Sequence, residues 1–485
     1  MSSVTGQRVQ KVWIEVSSLL DCPRQPTGIT RVMLAIVEQW ARGTFNHLGL
    51  CRLDAERQGF VAVPIDILNR FSQNSSEPEG ESAAPRSLLK MIISATKRCL
   101  KPLVSWLPVS IKRLMKRKIR SQFRFYLKIA RAIMSQLRLK QKRTSNEPLI
   151  SLGPDDLLLS LGADWTYGES SRTIWQVKKR HKFRSAQLFY DLIPILFPQF
   201  FGLGFAARYT RWFVDSVWTA DFILAGSQCT LDDIQRYNEQ QLLPAKPQGL
   251  IRFGDNLIPA ETEAPASLKQ KQPGPFVLCV GTIEVRKNQR LLYQVWRRII
   301  QNHGPEKIPT LLLVGMRGWM GGETLHLMQN DPVTCKSIQV HHKCTDAELH
   351  GLYQNCLFTI YPSLYEGWGL PVAESMYYGK YCIAGKISSI PEIAGELVGM
   401  HDPTSVSECE TLVLQALEPE FRSERERLIQ QRYQKHTWAN CARQTAQLLA
   451  QAFGQQILKE PNDGIEEGSA DRYLPHPSAS FRRSA

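Results

Sequence analysis

Two carboxylates, Glu366 and Glu374, bracket Gly367, Trp368, Gly369, Leu370 and Pro371. An apolar strand-like run ends near Tyr361, and Pro371 suits the first position of a helix. A glycine loop at a helix start leaves backbone N–H groups free. Together with the helix dipole they favour an anion such as a diphosphate, so Gly367, Trp368, Gly369 and Leu370 are expected to line one. Glu366 is expected in the loop and Glu374 in the first helical turn. Both then face one cleft and accept hydrogen bonds from sugar or ribose hydroxyls. Each residue alone has a plain structural reading, a dipole-complementing carboxylate or a turn glycine. Their joint spacing favours a ligand.

Three further groups carry candidate chemistry. Gly281 follows an apolar run, and Arg286, Lys287 and Asn288 close the next loop. Asn288 is expected to cap a helix with Leu291, Leu292, Val295 and Ile299 on one face. Cations at that helix start are disfavoured by the dipole unless an anion binds there. An exposed basic pair is the alternative. Asp191, after Tyr190 at another strand end, serves either as a base or hydrogen-bond acceptor for a hydroxyl, or as a turn cap. Gly28 allows backbone to approach a ligand, and Arg31 offers a guanidinium to an anion. A helix-start glycine beside an exposed arginine is the structural alternative.

These residues resemble glycosyltransferase family 4, whose members are retaining enzymes of GT-B fold. The resemblance rests on Glu366 and Glu374 with seven residues between them, on the glycine–tryptophan–glycine–leucine–proline run from Gly367, and on the Ser388, Pro391, Glu392 and Gly395 segment. It is strong over roughly residues 275–405 and weaker over 10–40 and 155–235. It implies that Lys287 binds donor phosphates and that no bound metal or cofactor is needed. The donor is then a nucleotide diphosphate sugar, GDP-mannose or a UDP-sugar, with mannose the first choice among bacterial mannosyltransferase-like readings. Glu366, Asp191 and Lys287 become the catalytic candidates. The chain departs from the pattern at Thr282, where an arginine is common, and at Tyr190, where histidine is common.

The elements that must hold these residues follow from the rhythm of the chain. Short apolar runs alternate with helical patterns after residue 150, as in a parallel sheet covered on both faces. A proline-rich polar stretch at 259–274 reads as a linker, after which the rhythm restarts. The expected fold is α/β: GT-B, two Rossmann-like doubly wound domains facing across a cleft. The first spans residues 1–258, the second 275–430. A helix within 431–457 is expected to return to the first domain, and residues 458–485 read as a disordered tail.

The net charge of +15 is concentrated in an insert at 86–146, which holds eighteen Lys or Arg and no acidic residue. The rest of the chain is slightly acidic, and no nucleic-acid motif accompanies the charge, so no nucleic-acid partner is expected. Leu127, Ala130, Met134 and Leu137 recur at helical spacing beside Arg124, Lys128, Arg131 and Arg138. That pattern suits an anionic membrane surface, with a packed helical hairpin as the alternative. Eleven cysteines without a paired motif fit a reducing compartment, and the start of the chain lacks the apolar core of a signal peptide. The expected place is cytoplasmic, peripheral on the inner face of the membrane, with a lipid-linked or polysaccharide acceptor. A sugar-nucleotide epimerase of the same fold and an inactive binding protein are the competing classes.

Overall fold

Apolar runs of four to six residues build two parallel sheets in the computed structural model, which describes residues 9–21, 28–72, 147–167, 170–257, 274–342 and 344–459. The insert at 86–146, linker residues 259–273 and the tail beyond 459 lie outside the described residues.

The first sheet contains β1 (Lys11–Glu15), β2 (Leu48–Asp54), β5 (Asp156–Ser160), β6 (Arg184–Phe189), β7 (Phe222–Ala225) and β8 (Gln248–Leu250). These are ordered β2-β1-β5-β6-β7-β8, all parallel. A separate smaller unit, residues 60–150, contains most of β3 (Gly59–Val63) and β4 (Leu149–Ile150), an antiparallel pair. The second sheet is ordered β11-β10-β9-β12-β13-β14. Its strands are β9 (Phe276–Val280), β10 (Thr310–Val314), β11 (Ile338–His341), β12 (Thr359–Tyr361), β13 (Cys382–Gly385) and β14 (Gly399–His401). Apolar side chains occupy both faces of these strands because helices cover both sides.

The helices that bear on the site are α1 (Ile29–Ala41), α2 (Ser170–His181), α3 (Phe205–Thr219), α4 (Gln228–Gln240) and α5 (Gln289–His303), followed by α6 (Gly322–Asn330) and α7 (Asp346–Asn355). Then come α8 (Leu370–Tyr377), α9 (Val406–Leu417), α10 (Pro419–Arg432) and α11 (Trp438–Phe453). On α5 the expected apolar face holds. Leu291, Leu292, Val295, Trp296 and Ile299 are buried in one cluster with Leu311, Leu313 and Ile383. Thr345, three residues before Glu348, has the spacing of a capping box, forms one with it and starts α7.

Chain order reverses beside β1 in the first sheet and beside β9 in the second. Loops leaving neighbouring strands there diverge to opposite faces and open a crevice at their carboxyl ends, where ligands bind in open α/β sheets. The loops after β9 and β12 carry Arg286, Lys287 and Glu366, so the second sheet places the candidate site at its switch point.

Helix α11 packs on α1. The indole of the fully buried Trp40 donates to the Ala442 carbonyl at 2.9 Å. Past the helix, the Asn46 side chain donates to the carbonyls of Gln456 and Leu458, each at 2.9 Å, and Lys459 N–H donates to Thr44 O at 3.0 Å. Leu458 and Lys459 are therefore held against residues 44–46. Among the described residues no helix is long and apolar enough to cross a membrane.

Candidate functional site

Strand β9 ends at Val280, and Arg286 and Lys287 sit in a short 3-10 turn, Val285–Lys287, just ahead of α5. Asn288 follows with φ of 55°, in the left-handed region. It does not cap α5 with its side chain as expected. Instead it donates to the carbonyls of Pro362 and Pro403 at 3.1 and 2.7 Å, which pins the turn to the loops after β12 and β14.

Glu366 meets both cations. Its Oε1 lies 2.6 Å from Lys287 Nζ and its Oε2 2.7 Å from Arg286 Nη1. Tyr361 donates its hydroxyl to Oε1 at 2.9 Å, and Arg286 Nη2 also reaches Glu284 at 3.0 Å. The anion that two cations at a helix start require is thus supplied here by the protein's own carboxylates. Burial alone raises Glu366, but Arg286 and then Lys287 outweigh it and bring its pKa down to about 2. Burial and the neighbouring Arg286 push Lys287 below the usual lysine range, with Glu366 pulling it back up.

Asp191 follows β6, and burial raises its carboxyl against the opposing pull of Arg286. Its Oδ1 accepts from Ile193 N–H at 2.9 Å, so the turn-cap reading is realised, within the electrostatic reach of Arg286, Lys287 and Glu366. Tyr190 turns the other way. Its hydroxyl donates to the Leu161 carbonyl at 2.7 Å, so it fills the end of the first sheet and offers no ring nitrogen to a ligand.

Gly367 is where the two sheets' loops meet. A Cβ there would stand 2.1 Å from the Tyr190 carbonyl and 2.8 Å from Asp191 Cβ. Ser227, the N-cap of α4, donates to the Gly367 carbonyl at 2.7 Å. The Trp368 ring meets Phe253 edge-on with centroids 5.9 Å apart, which commits its indole to packing. Gly369 has φ of 126°, and a Cβ would meet Ile390 Cδ1 at 2.6 Å. Contact with the first half at Gly367, and the positive φ and packing on Ile390 at Gly369, therefore explain these glycines at least as directly as room for a ligand does.

Helix α8 begins at Leu370 with Pro371 second, so Glu374 lies past the first turn, contrary to expectation. It is buried, accepts from Tyr353 Oη at 2.7 Å and pairs with Arg31 at 3.2 Å. Burial raises its pKa, and Arg31 opposes the rise. Arg31 projects from the first turn of α1, whose N-cap Gly28 has φ of 55°, and among the described residues nothing lies within 4 Å of where a Cβ would stand. Among the described residues the buried guanidinium Nε and Nη2 meet no hydrogen-bond partner. Arg31 does meet an anion as expected, and that anion is Glu374. The structure thus groups Glu366, Arg286, Lys287, Asp191 and Gly367 in one cluster, and Glu374 and Arg31 in a second.

Several contributors were given no role at the site from sequence. Tyr361 and Tyr353 are core strand and helix residues by pattern, yet their hydroxyls bind the two glutamates. Ser388 accepts from Glu366 N–H at 2.9 Å, and Ser389 donates to the Glu366 carbonyl at 3.1 Å. Glu392 accepts from the N–H groups of Gln228 and Cys229 at 2.8 and 2.7 Å. The serine and proline–glutamate segment itself was the available signal, although its target was not readable.

Comparisons with known proteins bear on the fold and the family. Residues 260–435 match the family Glycosyl transferases group 1. The chain is 32% identical over 173 residues to O-antigen chain mannosyltransferase B of Escherichia coli, covering 35% of this chain and 44% of that protein. It is 27% identical over 258 residues to the serotype-specific mannosyltransferase WbdA of Escherichia coli, covering 52% of this chain and 31% of WbdA. The chain thus spans less than half the length of these relatives. Among solved structures, Anabaena HepE in complex with UDP and glucose superposes with a TM-score of 0.54 at 14% identity, covering 91% of this chain and 99% of that one. The chain therefore has the GT-B fold, and the stretch that matches the Glycosyl transferases group 1 family, residues 260–435, holds its second sheet.

Proposed function

We propose that this chain is a retaining hexosyltransferase that moves mannose from a nucleotide diphosphate sugar to a lipid-linked or polysaccharide acceptor, in cell-surface polysaccharide synthesis. The observation that carries the reading is the convergence of Arg286 and Lys287 on Glu366 at the switch point of the second sheet. The choice of mannose follows the names of the two Escherichia coli relatives, and GDP-mannose is the donor proposed first, ahead of a UDP-sugar.

In this reading the bond between the sugar's anomeric carbon and the diphosphate oxygen breaks as the acceptor hydroxyl bonds to that carbon. Negative charge grows on the leaving diphosphate, and Arg286 and Lys287 stabilise it in a site poor in water. The diphosphate replaces Glu366 as their counter-ion, which frees Glu366 to hold sugar hydroxyls. Glu374 and Arg31 hold the ribose side. Asp191, its carboxyl raised by burial, accepts a hydrogen bond or the proton from the acceptor hydroxyl. No metal or other cofactor enters this scheme. The insert at 86–146 holds the protein on an anionic membrane on the cytoplasmic side.

The test is nucleotide diphosphate release from a panel of nucleotide sugars with a lipid extract as acceptor source. Release that persists in Glu366→Ala and Lys287→Ala would sink the site assignment. Epimerised donor without transfer would replace the reading with an epimerase. Loss of phosphatidylglycerol liposome binding on deletion of 86–146 supports the membrane contact, and unchanged binding refutes it.

A further inference from the structure

After Asp191 the chain runs without a charged residue from 192 to 207, leaving β6 and turning back into α3. Both ends of this stretch are anchored at the site. Phe197 packs on Tyr365, next to Glu366, with ring centroids 4.8 Å apart, and Tyr209 donates its hydroxyl to the Asp191 carbonyl at 2.8 Å. Between the anchors Phe197 stacks on Phe200 and Phe201 on Phe205. Leu203 stands between Gly202 and Gly204 at 110% relative exposure. The loop after β10 meets this tip from the second half. A Cβ on Gly202 would stand 2.4 Å from Trp319 Cζ3, and the Trp319 ring centroid lies 6.0 Å from that of Phe205. Val285, the residue before Arg286, donates its N–H to the Trp319 carbonyl at 3.2 Å.

Ten large apolar side chains are exposed among the described residues, and five of them, Leu203, Val285, Met316, Trp319 and Met320, belong to these three loops. Single exposed apolar residues are ordinary, whereas half of them gathered at the mouth of one site mark a contact. The only charges on residues 192–208 and 315–322 are Arg208 and Arg317, both exposed. The flanking carboxylates are neutralised, Glu284 by Arg286 at 3.0 Å and Glu323 by Arg290 at 3.1 Å. The rim is thus apolar at its tip and cationic at its edge.

We propose that this rim enters a membrane: Leu203, Trp319 and Met320 sink into the acyl boundary of an anionic bilayer and seat the mouth of the site against it. The inference rests on the transfer reading above for what lies behind the mouth, and it is separate from any contact made by 86–146. Shape and charge select the occupant. A leucine raised between two glycines is convex, so it penetrates an interface and cannot wrap a lipid tail or a sugar chain. An indole suits the headgroup level, and arginines with no acidic neighbour in their loops meet lipid phosphates. A protein partner that adds a strand needs a sheet edge, and one that adds a helix needs a groove, and these loops present neither. Seated in this way, the cleft receives its acceptor hydroxyl at Asp191 from the bilayer side, which selects the lipid-linked acceptor over a free polysaccharide.

The experiment uses the full chain with vesicles of phosphatidylcholine, alone or mixed with phosphatidylglycerol, and measures binding by co-sedimentation. Leu203→Asp and Leu203→Ala are compared with Leu242→Asp, which alters a leucine of 90% exposure past the far end of α4, about 20 Å along its axis from Ser227. Affinity for the mixed vesicles should fall at least tenfold in Leu203→Asp, less in Leu203→Ala, and stay unchanged in Leu242→Asp. Brominated acyl chains should quench tryptophan emission, and Trp319→Phe should remove most of that quenching. GDP-mannose and UDP-glucose affinities stay constant throughout, while in Leu203→Asp the KM for a lipid-extract acceptor rises and kcat holds. Vesicle affinity that is absent in the wild type, unchanged in Leu203→Asp, or lowered equally by Leu242→Asp overturns the proposal. So does quenching that survives in Trp319→Phe. Absence of donor binding in the wild type sinks the transfer reading instead, and the vesicle measurements are then scored on their own.

Discussion

Lys287, Arg286 and Glu366 form a buried triad in which each charge depends on the others. Removing one partner leaves an uncompensated charge out of water, which is costly in itself. Lys287→Ala should therefore lower the rate of diphosphate release by about 10²–10³-fold, the usual loss of a donor to developing transition-state charge, as measured by kcat at saturating donor. Glu366 also sets a pH dependence. Its folded pKa is depressed to about 2 from 4.5, so its contribution to stability is present above 4.5 and is lost as pH falls towards 2. Glu366→Gln should flatten the acid limb of the stability curve between those values, checked by urea denaturation midpoints at a series of pH values.

At the scale of elements, the loop from Glu366 to Gly369 is clamped between two helix starts. Ser227 and the first amides of α4 take the Gly367 carbonyl and the Glu392 carboxylate, while Ser388 and Ser389 hold Glu366 from its own side. Glu392→Ala strips α4 of a borrowed cap, a loss of about 1 kcal/mol, and the Gln228 and Cys229 amides should exchange faster with deuterium. Unchanged exchange there would mean that the contact is absent in solution. Gly367→Ala is a steric test of the same junction. A methyl group 2.1 Å from the Tyr190 carbonyl must push the loop away. Displacements of about 1 Å can cost 10²-fold in rate, so kcat should fall by about that factor while nucleotide affinity changes little.

Across the whole molecule, the switch points of the two sheets carry opposite electrostatic designs. The second carries the cation–carboxylate triad. The first carries Glu15, at the end of β1, and Asp164, after β5, both buried. Burial first, and then mutual repulsion with Asp164, raises Glu15 from 4.5 to about 8, and burial raises Asp164 as well. A raised carboxyl pKa means that the native state holds the proton more tightly. The stability this proton contributes is complete below the unfolded value near 4.5 and is lost as pH climbs towards 8. Glu15→Gln, which mimics the protonated form and keeps the acceptor for Ser17 and Leu53 N–H, should remove that loss. Denaturation midpoints at pH 5 and pH 8 should then lie closer together than in the wild type. Asp255 ties the halves where the chain crosses back. Fully buried, it accepts from Tyr433 Oη at 2.6 Å and His436 N–H at 2.9 Å, and pairs with Arg252 at 3.1 Å.

Strand runs such as Phe276–Val280 and Thr310–Val314 were legible because continuous apolar residues of that length have few alternatives. The Thr345 capping box was legible because it is local. That Arg286 and Lys287 need an anion was legible from their place beside a helix start, and the anion the structure shows is Glu366. What sequence could not disclose was direction. Whether Tyr190 faces a ligand or the Leu161 carbonyl, whether Gly367 makes room for an anion or for another backbone, and whether Arg31 meets Glu374 are contacts across long sequence separations. The sequence by itself determined two α/β halves, their switch-point loops and the residue types with useful charge. Only the tertiary structure decided which charges neutralise each other and which glycines exist for sterics. Local pattern reports a side chain's chemistry and periodicity, whereas its partner is set by how two separately formed sheets bring their loops together.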